Sequence, residues 1–283
     1  MVDAHVHVWD PAAAPYPWLT PDLSALDRPF ALTDVAGALT GCAVDRVVLV
    51  QASDSLADTA NMFAQAFRGT SGVDVAGIVA WVPLTAPARA RQLLEAWAGL
   101  PVVGVRHLVH READPRWLLH QDVADGFNLL AGRGLTFDVC AETPELLALV
   151  PALADRHPDV TFVVDHLGKP PIAAGGWQPW ADLLSRAAAR SNVTAKISGL
   201  NTAAGPGWVS GDLQRYVDHA VREFGTGRLM AGGDWPFALL AASGYAPVWR
   251  GVTDTLAALP ACDRAAILGG NAAAIYHLPP GPG

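Results

Sequence analysis

Cysteine is scarce in this chain of 283 residues, and basic residues are sparse. The three cysteines, Cys42, Cys140 and Cys262, are scattered and odd in number, which argues against a disulfide framework and predicts a reducing, cytoplasmic location. Charged residues make up 16% of the chain, its net charge is −8, and it contains no basic run. Nucleic acid and anionic membrane surfaces are therefore not expected as partners.

Membrane-spanning and leader-like segments are also missing from the sequence. No apolar stretch approaches the roughly 20 residues that cross a bilayer, and no basic and apolar leader precedes His5. Hydrophobic residues make up 51% of the chain, which predicts a large core and argues against disorder. We expect one domain over residues 1–278, followed by a loose Pro/Gly tail at residues 279–283.

Short apolar segments rich in β-branched residues alternate with helical segments along the whole chain. The pattern predicts strands within residues 2–9 and at 46–51, 74–82, 102–108, 135–140, 161–166, 193–199 and 229–235. It predicts helices at 55–67, 87–99, 114–132, 144–157, 180–190, 212–224, 245–258 and 264–276. Residues 11–29 form a long Pro-containing loop, which predicts a lid or a pocket wall.

Eight apolar strands that alternate with helices indicate a parallel α/β sheet. The chain length fits one closed TIM-type (β/α)8 barrel, regular or distorted, because such barrels typically have about 250 residues. An open, doubly wound sheet is the alternative. No glycine-rich fingerprint follows the first strand to support it, so we favour the barrel.

The first strand carries His5 and His7, which lie two residues apart. Alternate side chains of a strand project from the same face, so both imidazoles are expected to point at one spot. Such a pair can hold a metal ion or carry protons. The pattern is weak by itself, because histidines are common on the faces of strands.

Further polar side chains stand where the other predicted strands end, which is the active face of a TIM barrel. These residues are Gln51, Trp81, Arg106, His107, Asp165, His166, Asp234 and Trp235. Ionisable groups at such positions are costly to bury unless they are paired or functional, so together they predict an active site. Arg106 and His107 face opposite ways on a regular strand, and we expect Arg106 to line the cavity.

Several of these segments together resemble the amidohydrolase superfamily. They are His5-Val6-His7 and residues 104–107, 165–170, 196–200 and 232–236, with a similar tail at 270–276. The set more closely resembles the lactonase branch, which includes L-fuconolactonase, L-rhamnonolactonase and 2-pyrone-4,6-dicarboxylate lactonase. The resemblance covers nearly the whole chain and implies a hydrolase that opens the ring of a small lactone.

The chain departs from the metal-dependent members of that superfamily. Those enzymes usually add a Lys or Glu ligand after the fourth strand and a His after the fifth. Here the fourth strand offers Arg106 and His107, and residues 136–140 contain no histidine. The lactonase branch works without an essential divalent ion, so the resemblance implies that no cofactor is required. A single zinc ion, if one binds, would be held by His5, His7, His166 and Asp234.

Lactone hydrolysis needs a base for water, donors for the developing oxyanion, and a proton for the leaving oxygen. We expect Asp234 to act as the base, with a pKa suited to the working pH through burial. The expected oxyanion donors are His5, His7, His166 and Arg106. The expected substrate contacts are Gln51, Trp81, His107, Lys169 and Trp235.

Three further residues are expected to have structural rather than catalytic roles. Lys196 and Asp138 are expected to form a buried pair inside the barrel, since an isolated charge there would be expensive. Cys140 is expected to be a small apolar filler rather than a nucleophile.

The substrate class and two other functions remain open at this point. A dicarboxylate lactone would want several arginines, whereas the strand ends offer mainly Arg106, so a sugar lactone is favoured. A metal-dependent amidohydrolase, such as a decarboxylase or amidase, would instead hold zinc at the His5/His7 pair. A non-catalytic sugar-acid binding protein on an inactive barrel would bind its ligand without turnover. The sequence does not give the oligomeric state.

Overall fold

Eight parallel strands form the centre of the protein. The computed structural model describes residues 1–281. The strands are β1 (Val2–Val6), β2 (Arg46–Val50), β3 (Asp74–Ala80), β4 (Val102–His107), β5 (Thr136–Val139), β6 (Phe162–Val164), β7 (Val193–Ile197) and β8 (Leu229–Ala231). They pair in sequence order. The TIM-type (β/α)8 barrel predicted from the sequence is confirmed.

The barrel closes between its first and last strands through residues that follow β8. The amide of His7 donates to the carbonyl of Trp235 at 2.7 Å, and the amide of Asp234 donates to the carbonyl of His5 at 2.9 Å. Val6 and Trp235 form a parallel bridge at the same edge. The closure therefore runs through the segments that carry the predicted site residues.

Helices surround the strands. They are α1 (Leu32–Gly41), α2 (Leu56–Arg68), α3 (Pro87–Ala96), α4 (Gln121–Ala131), α5 (Pro144–Arg156), α6 (Trp180–Ala188), α7 (Leu200–Ala204), α8 (Ser210–Phe224), α9 (Tyr245–Thr255), α10 (Ala261–Ala265) and α11 (Asn271–Ile275). None of the helices within the described residues is long and apolar enough to cross a bilayer. Local sequence sets several helix starts: Ser55 and Thr143 accept hydrogen bonds from amides of the first turn of α2 and α5.

The core lies between the strands and the surrounding helices, where aromatic side chains interlock. Phe127 of α4 packs edge-on against Phe137 of β5 and Phe162 of β6, with ring centroids 5.0 and 5.5 Å apart. A smaller apolar cluster joins Val48 and Met230 to Tyr276, which follows α11. This packing fixes the strand ends that carry the site.

The structure adds two helices to those predicted, α1 and α7, and substantially changes two others. The buried Leu32, Val35, Ala36 and Leu39 of α1 follow the spacing of an amphipathic helix. The helix predicted at 114–132 begins at Gln121, because Asp114 accepts a hydrogen bond from the amide of Arg116 and starts a turn instead.

The last predicted helix, 264–276, is interrupted. A π-helical segment, Ala266–Gly270, separates α10 from α11, and Gly269 within it has extended backbone at φ 168°. The two predicted strands that reached residues 199 and 235 end earlier, at Ile197 and Ala231.

The loose tail was predicted at residues 279–283. Residues 282–283 lie outside the described residues, and the carbonyl of Pro279 accepts a hydrogen bond from Arg46 at 2.6 Å.

The loop after the first strand is fastened to the start of α2. The hydroxyl of Tyr16 donates to Oδ1 of Asp58 at 2.8 Å, and Nε1 of Trp18 donates to the carbonyl of Ala52 at 2.6 Å. Oγ of Ser53 donates to the carbonyl of Pro15 at 2.6 Å. These bonds hold Trp18 where it forms part of a pocket wall.

Candidate active site

A cavity of about 270 Å³ opens at the carboxyl-terminal ends of the strands. Five of the residues predicted from the sequence line it: His7, Arg106, His166, Lys169 and Asp234. This volume lies just below the range of pockets that hold drug-sized ligands, roughly 300–1,000 Å³. The cavity therefore suits a small molecule.

Three imidazoles surround one carboxylate oxygen at the base of this cavity. Oδ1 of Asp234 lies 3.6 Å from Nε2 of His7, 3.8 Å from Nε2 of His5 and 4.0 Å from Nε2 of His166. All four side chains are almost fully buried. The first, sixth and eighth strands therefore bring their polar residues to a single point.

The hydrogen-bond network assigns the proton of His7. Nδ1 of His7 lies 2.7 Å from the carbonyl of Val50, so it must donate, and Nε2 of neutral His7 must accept. Nε2 of His5 lies 3.1 Å from Nε2 of His7. Nδ1 of His5 lies 3.1 Å from Nζ of Lys196, a donor, and 3.3 Å from Oδ1 of Asp165, an acceptor, so both tautomers of His5 have a partner at this nitrogen.

The cluster holds Asp234 ionised and its imidazoles neutral. Burial would raise the pKa of Asp234, but His166, His7 and His5 lower it below its ordinary value. Burial lowers the pKa of His166 to about 4 and also lowers the pKa of His7 and of His5. This differs from the raised Asp234 pKa expected from burial alone, because the neighbouring imidazoles outweigh desolvation.

Unusual backbone positions aim two of these side chains. Residues 166–169 form a left-handed turn with φ values of 55°, 52°, 69° and 52°, and the amide of Lys169 donates to the carbonyl of His166 at 2.9 Å. Nε1 of Trp180 donates to the carbonyl of Leu167 at 2.7 Å and holds the turn. Left-handed residues other than glycine cost about 1–2 kcal/mol each, and such strain is typical of functional sites.

Asp234 also has left-handed backbone, with φ 52°, and Asp3 holds the segment before it. Oδ1 of Asp3 accepts hydrogen bonds from the amides of His5 and Gly233, both at 2.9 Å, and Oδ2 accepts one from the hydroxyl of Tyr245 at 2.8 Å. Burial raises the pKa of Asp3 to about 7. This one carboxyl group fixes the backbone that precedes both His5 and Asp234.

The expected buried pair between Lys196 and Asp138 is present, with Nζ and Oδ2 2.6 Å apart and both side chains fully buried. It belongs to a larger network. Nζ of Lys196 lies 3.2 Å from Oδ1 of Asp165, and the hydroxyl of Tyr276 donates to Asp138 at 2.7 Å. Nη1 of Arg106 donates to Oδ2 of Asp165 at 2.9 Å. The pair thus supports the active site from below.

Four of the predicted substrate contacts do not line the cavity within the described residues. Gln51 is fully buried and lies 3.5 Å from Nε of Arg106, which it helps to orient. Trp81 donates to Nδ1 of His107 at 3.1 Å, and His107 stacks on Trp117. Trp235 packs edge-on against a phenylalanine of the loop after β1. These side chains support the wall.

Several residues that line the cavity were not predicted as site residues: His110, Cys140 and Glu142, which follow β4 and β5, and Phe237, which follows β8. Trp18 and Leu23 also line it, and both lie in the loop 11–29 that the sequence predicts as a lid or a pocket wall. Glu142 stands two residues after the end of a predicted strand, and this position was the sequence feature that could have indicated a cavity residue. Cys140 is buried, and its pKa is raised well above the ordinary value by burial and by Glu142, consistent with an unreactive thiol.

The residues at the base of the cavity fit a zinc ion. Oδ1 of Asp234 is buried and accepts no hydrogen bond within the described residues. Three imidazole nitrogens and a carboxylate oxygen are ligands that zinc prefers, and His5, His7 and Asp234 offer atoms within 4.8 Å of one another. Nη1 of Arg106 lies 3.3 Å from Nε2 of His5 and places a fixed positive charge beside this donor set.

The chain belongs to the amidohydrolase family, whose model matches residues 2–278. It is 31% identical to an L-fucono-1,5-lactonase of Burkholderia ambifaria, over 98% of this chain and 95% of the relative. It is 33% identical to an L-fucono-1,5-lactonase of Burkholderia multivorans, over 98% and 96% of the two chains. The resemblance found in the sequence is confirmed.

A solved structure of an amidohydrolase from Burkholderia multivorans, with bound zinc, superposes on this chain with a TM-score of 0.88. The two are 33% identical, and the match covers 98% of this chain and 99% of the other. Zinc is thus found in a relative with the same fold.

Proposed function

We propose that this protein is a carboxylic ester hydrolase that opens the ring of a sugar lactone. The observation that carries the proposal is the ionised carboxylate of Asp234, surrounded by three imidazoles at the base of a small cavity. The full-length similarity to two L-fucono-1,5-lactonases supports a lactone substrate. The proposed substrate class is a hydroxylated lactone of the size of those relatives' substrate.

In the proposed reaction, Asp234 takes a proton from a water molecule as the water oxygen attacks the lactone carbonyl carbon. The carboxylate is ionised and its Oδ1 is free to accept within the described residues. General base assistance of this kind contributes typically about 10²–10⁴ in rate. His166 lies 4.0 Å from Oδ1 and can share the proton.

Arg106 supplies positive charge for the oxygen that becomes an oxyanion. Its Nε and Nη1 are engaged by Gln51 and Asp165, which orients the guanidinium, and its side chain lines the cavity. A preorganised donor of this kind has been worth about 3–4 kcal/mol of transition-state stabilisation. His5 and His7 lie beside it and complete the polar base of the site.

Ring opening then breaks the bond between the carbonyl carbon and the ring oxygen. The proton held by Asp234 passes to that oxygen, which leaves as the hydroxyl group of the product. The product is a hydroxy acid, and its carboxyl group releases one proton to the solution. Lys169 lines the same cavity and is proposed to contact the substrate.

We propose that no metal ion is required for this reaction, because Arg106 already places a permanent charge 3.3 Å from Nε2 of His5. A zinc ion, when bound, would be held by His5, His7, His166 and Asp234, and would polarise the carbonyl and acidify water. The fit of these donors favours a second candidate, a zinc-dependent hydrolase of the same family.

A panel of sugar lactones and simple lactones, followed with a pH indicator, tests the proposal. We expect release of one proton per ring opened, with L-fucono-1,5-lactone among the better substrates. An amide and a carboxylated aromatic compound belong in the panel, because turnover of these alone would favour an amidase or a decarboxylase. Saturable binding without turnover of any compound would favour a sugar-acid binding protein.

A further inference from the structure

A second polar cluster, formed by Glu142 and Lys169, lines the cavity next to the reactive residues and extends toward the side opposite β1. The strands follow one another around the barrel in sequence order, so β5 lies opposite β1. Glu142 follows β5 and Lys169 follows β6, and both line the cavity that also contains His7 and Asp234. A ligand that fills the cavity would therefore reach from one cluster to the other.

The second cluster is an ion pair with room for a ligand. Nζ of Lys169 lies 3.3 Å from Oε1 of Glu142, and the two side chains keep 31% and 34% of their surface exposed. Sγ of Cys140 lies 3.6 Å from the same oxygen. Burial would raise the pKa of Glu142, but Lys169 and its other charged neighbours lower it, so a carboxylate stands beside an ammonium.

This cluster suits a ligand other than a metal ion. His110, Cys140 and Glu142 offer donor atoms within 4.8 Å of one another. The Lys169 ammonium, however, already forms an ion pair with Glu142 at 3.3 Å, and it would repel a divalent cation bound at the same carboxylate. Burial and Glu142 also keep the Cys140 thiol protonated, whereas a metal ligand must be a thiolate.

We propose that Glu142 and Lys169 form a hydroxyl-binding subsite that selects polyhydroxylated lactones, an inference that rests on the function proposed above. A carboxylate can accept hydrogen bonds from a sugar hydroxyl, and an adjacent ammonium can donate to a neighbouring hydroxyl. The lactone carbonyl would then lie at Asp234 and the ring hydroxyls at Glu142.

Glu142 disfavours a lactone that carries carboxylates. Its carboxylate already neutralises Lys169 at 3.3 Å and would lie beside the charge of such a substrate, and like charges brought together at an interface cost several kcal/mol. An unsubstituted lactone, in turn, would leave the charged groups of the subsite without partners. Sites built to bind hydroxyls reject analogues that lack them for this reason.

The test compares kcat/KM for L-fucono-1,5-lactone with kcat/KM for δ-valerolactone, which has no hydroxyl groups. We measure the ratio of the two in the wild type, Glu142→Gln and Lys169→Met. The ratio should fall by about 10- to 100-fold in each variant, the range expected for one hydrogen bond to a charged group. Lys169→Arg should recover part of the loss. Glu145→Gln, the same substitution on an exposed residue of α5, should leave the ratio unchanged.

An unchanged ratio in Glu142→Gln and Lys169→Met would overturn the subsite. So would an equal loss with both lactones, since that result places the pair in the reaction itself or in the fold. If the wild type opens neither lactone, the proposed function fails separately. The subsite is then decided by an NMR titration with L-fucose, which carries ring hydroxyls and cannot be hydrolysed. Weaker binding to Glu142→Gln than to the wild type supports it, and equal binding overturns it.

Discussion

Nζ of Lys196 lies 3.1 Å from Nδ1 of His5, so a buried cation is in direct contact with a histidine of the site. Lys196 can only donate, whereas Oδ1 of Asp165, 3.3 Å from the same nitrogen, can accept. Nε2 of His5 faces Nε2 of His7 at 3.1 Å. A buried ion pair below the cavity therefore adjoins the imidazoles of the site.

Replacement of Lys196 by Met should destabilise the fold strongly. Asp138 and Asp165, both fully buried, would lose their ammonium partner, and breaking a buried pair in this way costs about 3–5 kcal/mol. Urea unfolding measures the loss. Lys169→Met is the matched control, because its ion pair is partly exposed and such pairs contribute roughly 0–1 kcal/mol. Equal losses in the two variants would contradict the assignment.

Gly199→Ala should disable the active site and lower stability. A Cβ at Gly199 would lie 2.7 Å from Oδ2 of Asp234 and 2.7 Å from Nδ1 of His166, so both side chains must move. Gly205→Ala is the matched control, because Gly205 also has positive φ but no atom lies within 4 Å of its Cβ. Both variants should lose about 1 kcal/mol of stability from the positive φ, and Gly199→Ala about 1–3 kcal/mol more from the crowding.

Steady-state kinetics distinguish the two glycine variants. We expect kcat of Gly199→Ala to fall at least about 100-fold, the scale of losing base assistance, while Gly205→Ala keeps wild-type kcat. Comparable kcat values in the two variants would show that the contact with Asp234 and His166 does not govern the chemistry.

Asp234→Asn should lower kcat by about 10²–10⁴, because an amide cannot take a proton from water. The size of the side chain is preserved, so the three imidazoles around it keep their packing. Lactone hydrolysis followed with a pH indicator measures the change, with Glu145→Gln as a surface control. If Asp234→Asn keeps near-normal kcat, the base is another group.

Removal of metal ions should leave lactone hydrolysis largely intact. The reason is the guanidinium of Arg106, which supplies permanent positive charge at 3.3 Å from Nε2 of His5. The measurement is kcat/KM after chelation, with residual zinc determined by elemental analysis. Loss of nearly all activity, restored by zinc or manganese, would establish the zinc-dependent alternative.

Asp58 should make stability depend on pH in mildly acidic solution. Burial raises its pKa from 3.8 to about 6, so the folded protein binds this proton more tightly than the unfolded chain does. Its contribution is present below about pH 4 and is lost as pH rises through about 6, a change of about 3 kcal/mol. The unfolding free energy of the wild type relative to Asp58→Asn should fall by this amount between pH 4 and pH 7. A constant difference would contradict the shift.

The sequence predicted the barrel well because its strands are short, buried on both sides and rich in Val. Residues 46–50 and 162–164 illustrate this: each strand is buried along its whole length, so an apolar run is its direct signature. Helix α1 could have been found from Leu32, Val35 and Leu39. The break at Gly269 depends on tertiary packing and leaves a weaker signal.

The convergence of His5, His7, His166 and Asp234 was predictable because strand ends meet in a barrel, whereas their surroundings were not. Left-handed backbone at His166 and Asp234 is imposed by contacts remote in sequence, such as those made by Asp3 and Trp180. Glu142 lies in a loop, and its position opposite His7 follows only from the closed sheet.

The left-handed turn at residues 166–169 carries the imidazole of His166 and the ammonium of Lys169 three positions apart on one rigid segment. A change at Lys169 therefore disturbs His166 as well, so the proposed chemistry and the proposed selectivity are coupled through this turn. Glu142 sits on a separate loop after β5. Substitutions that change the preference for one lactone over another should therefore occur first at Glu142, where they can alter substrate selectivity without loss of catalytic activity.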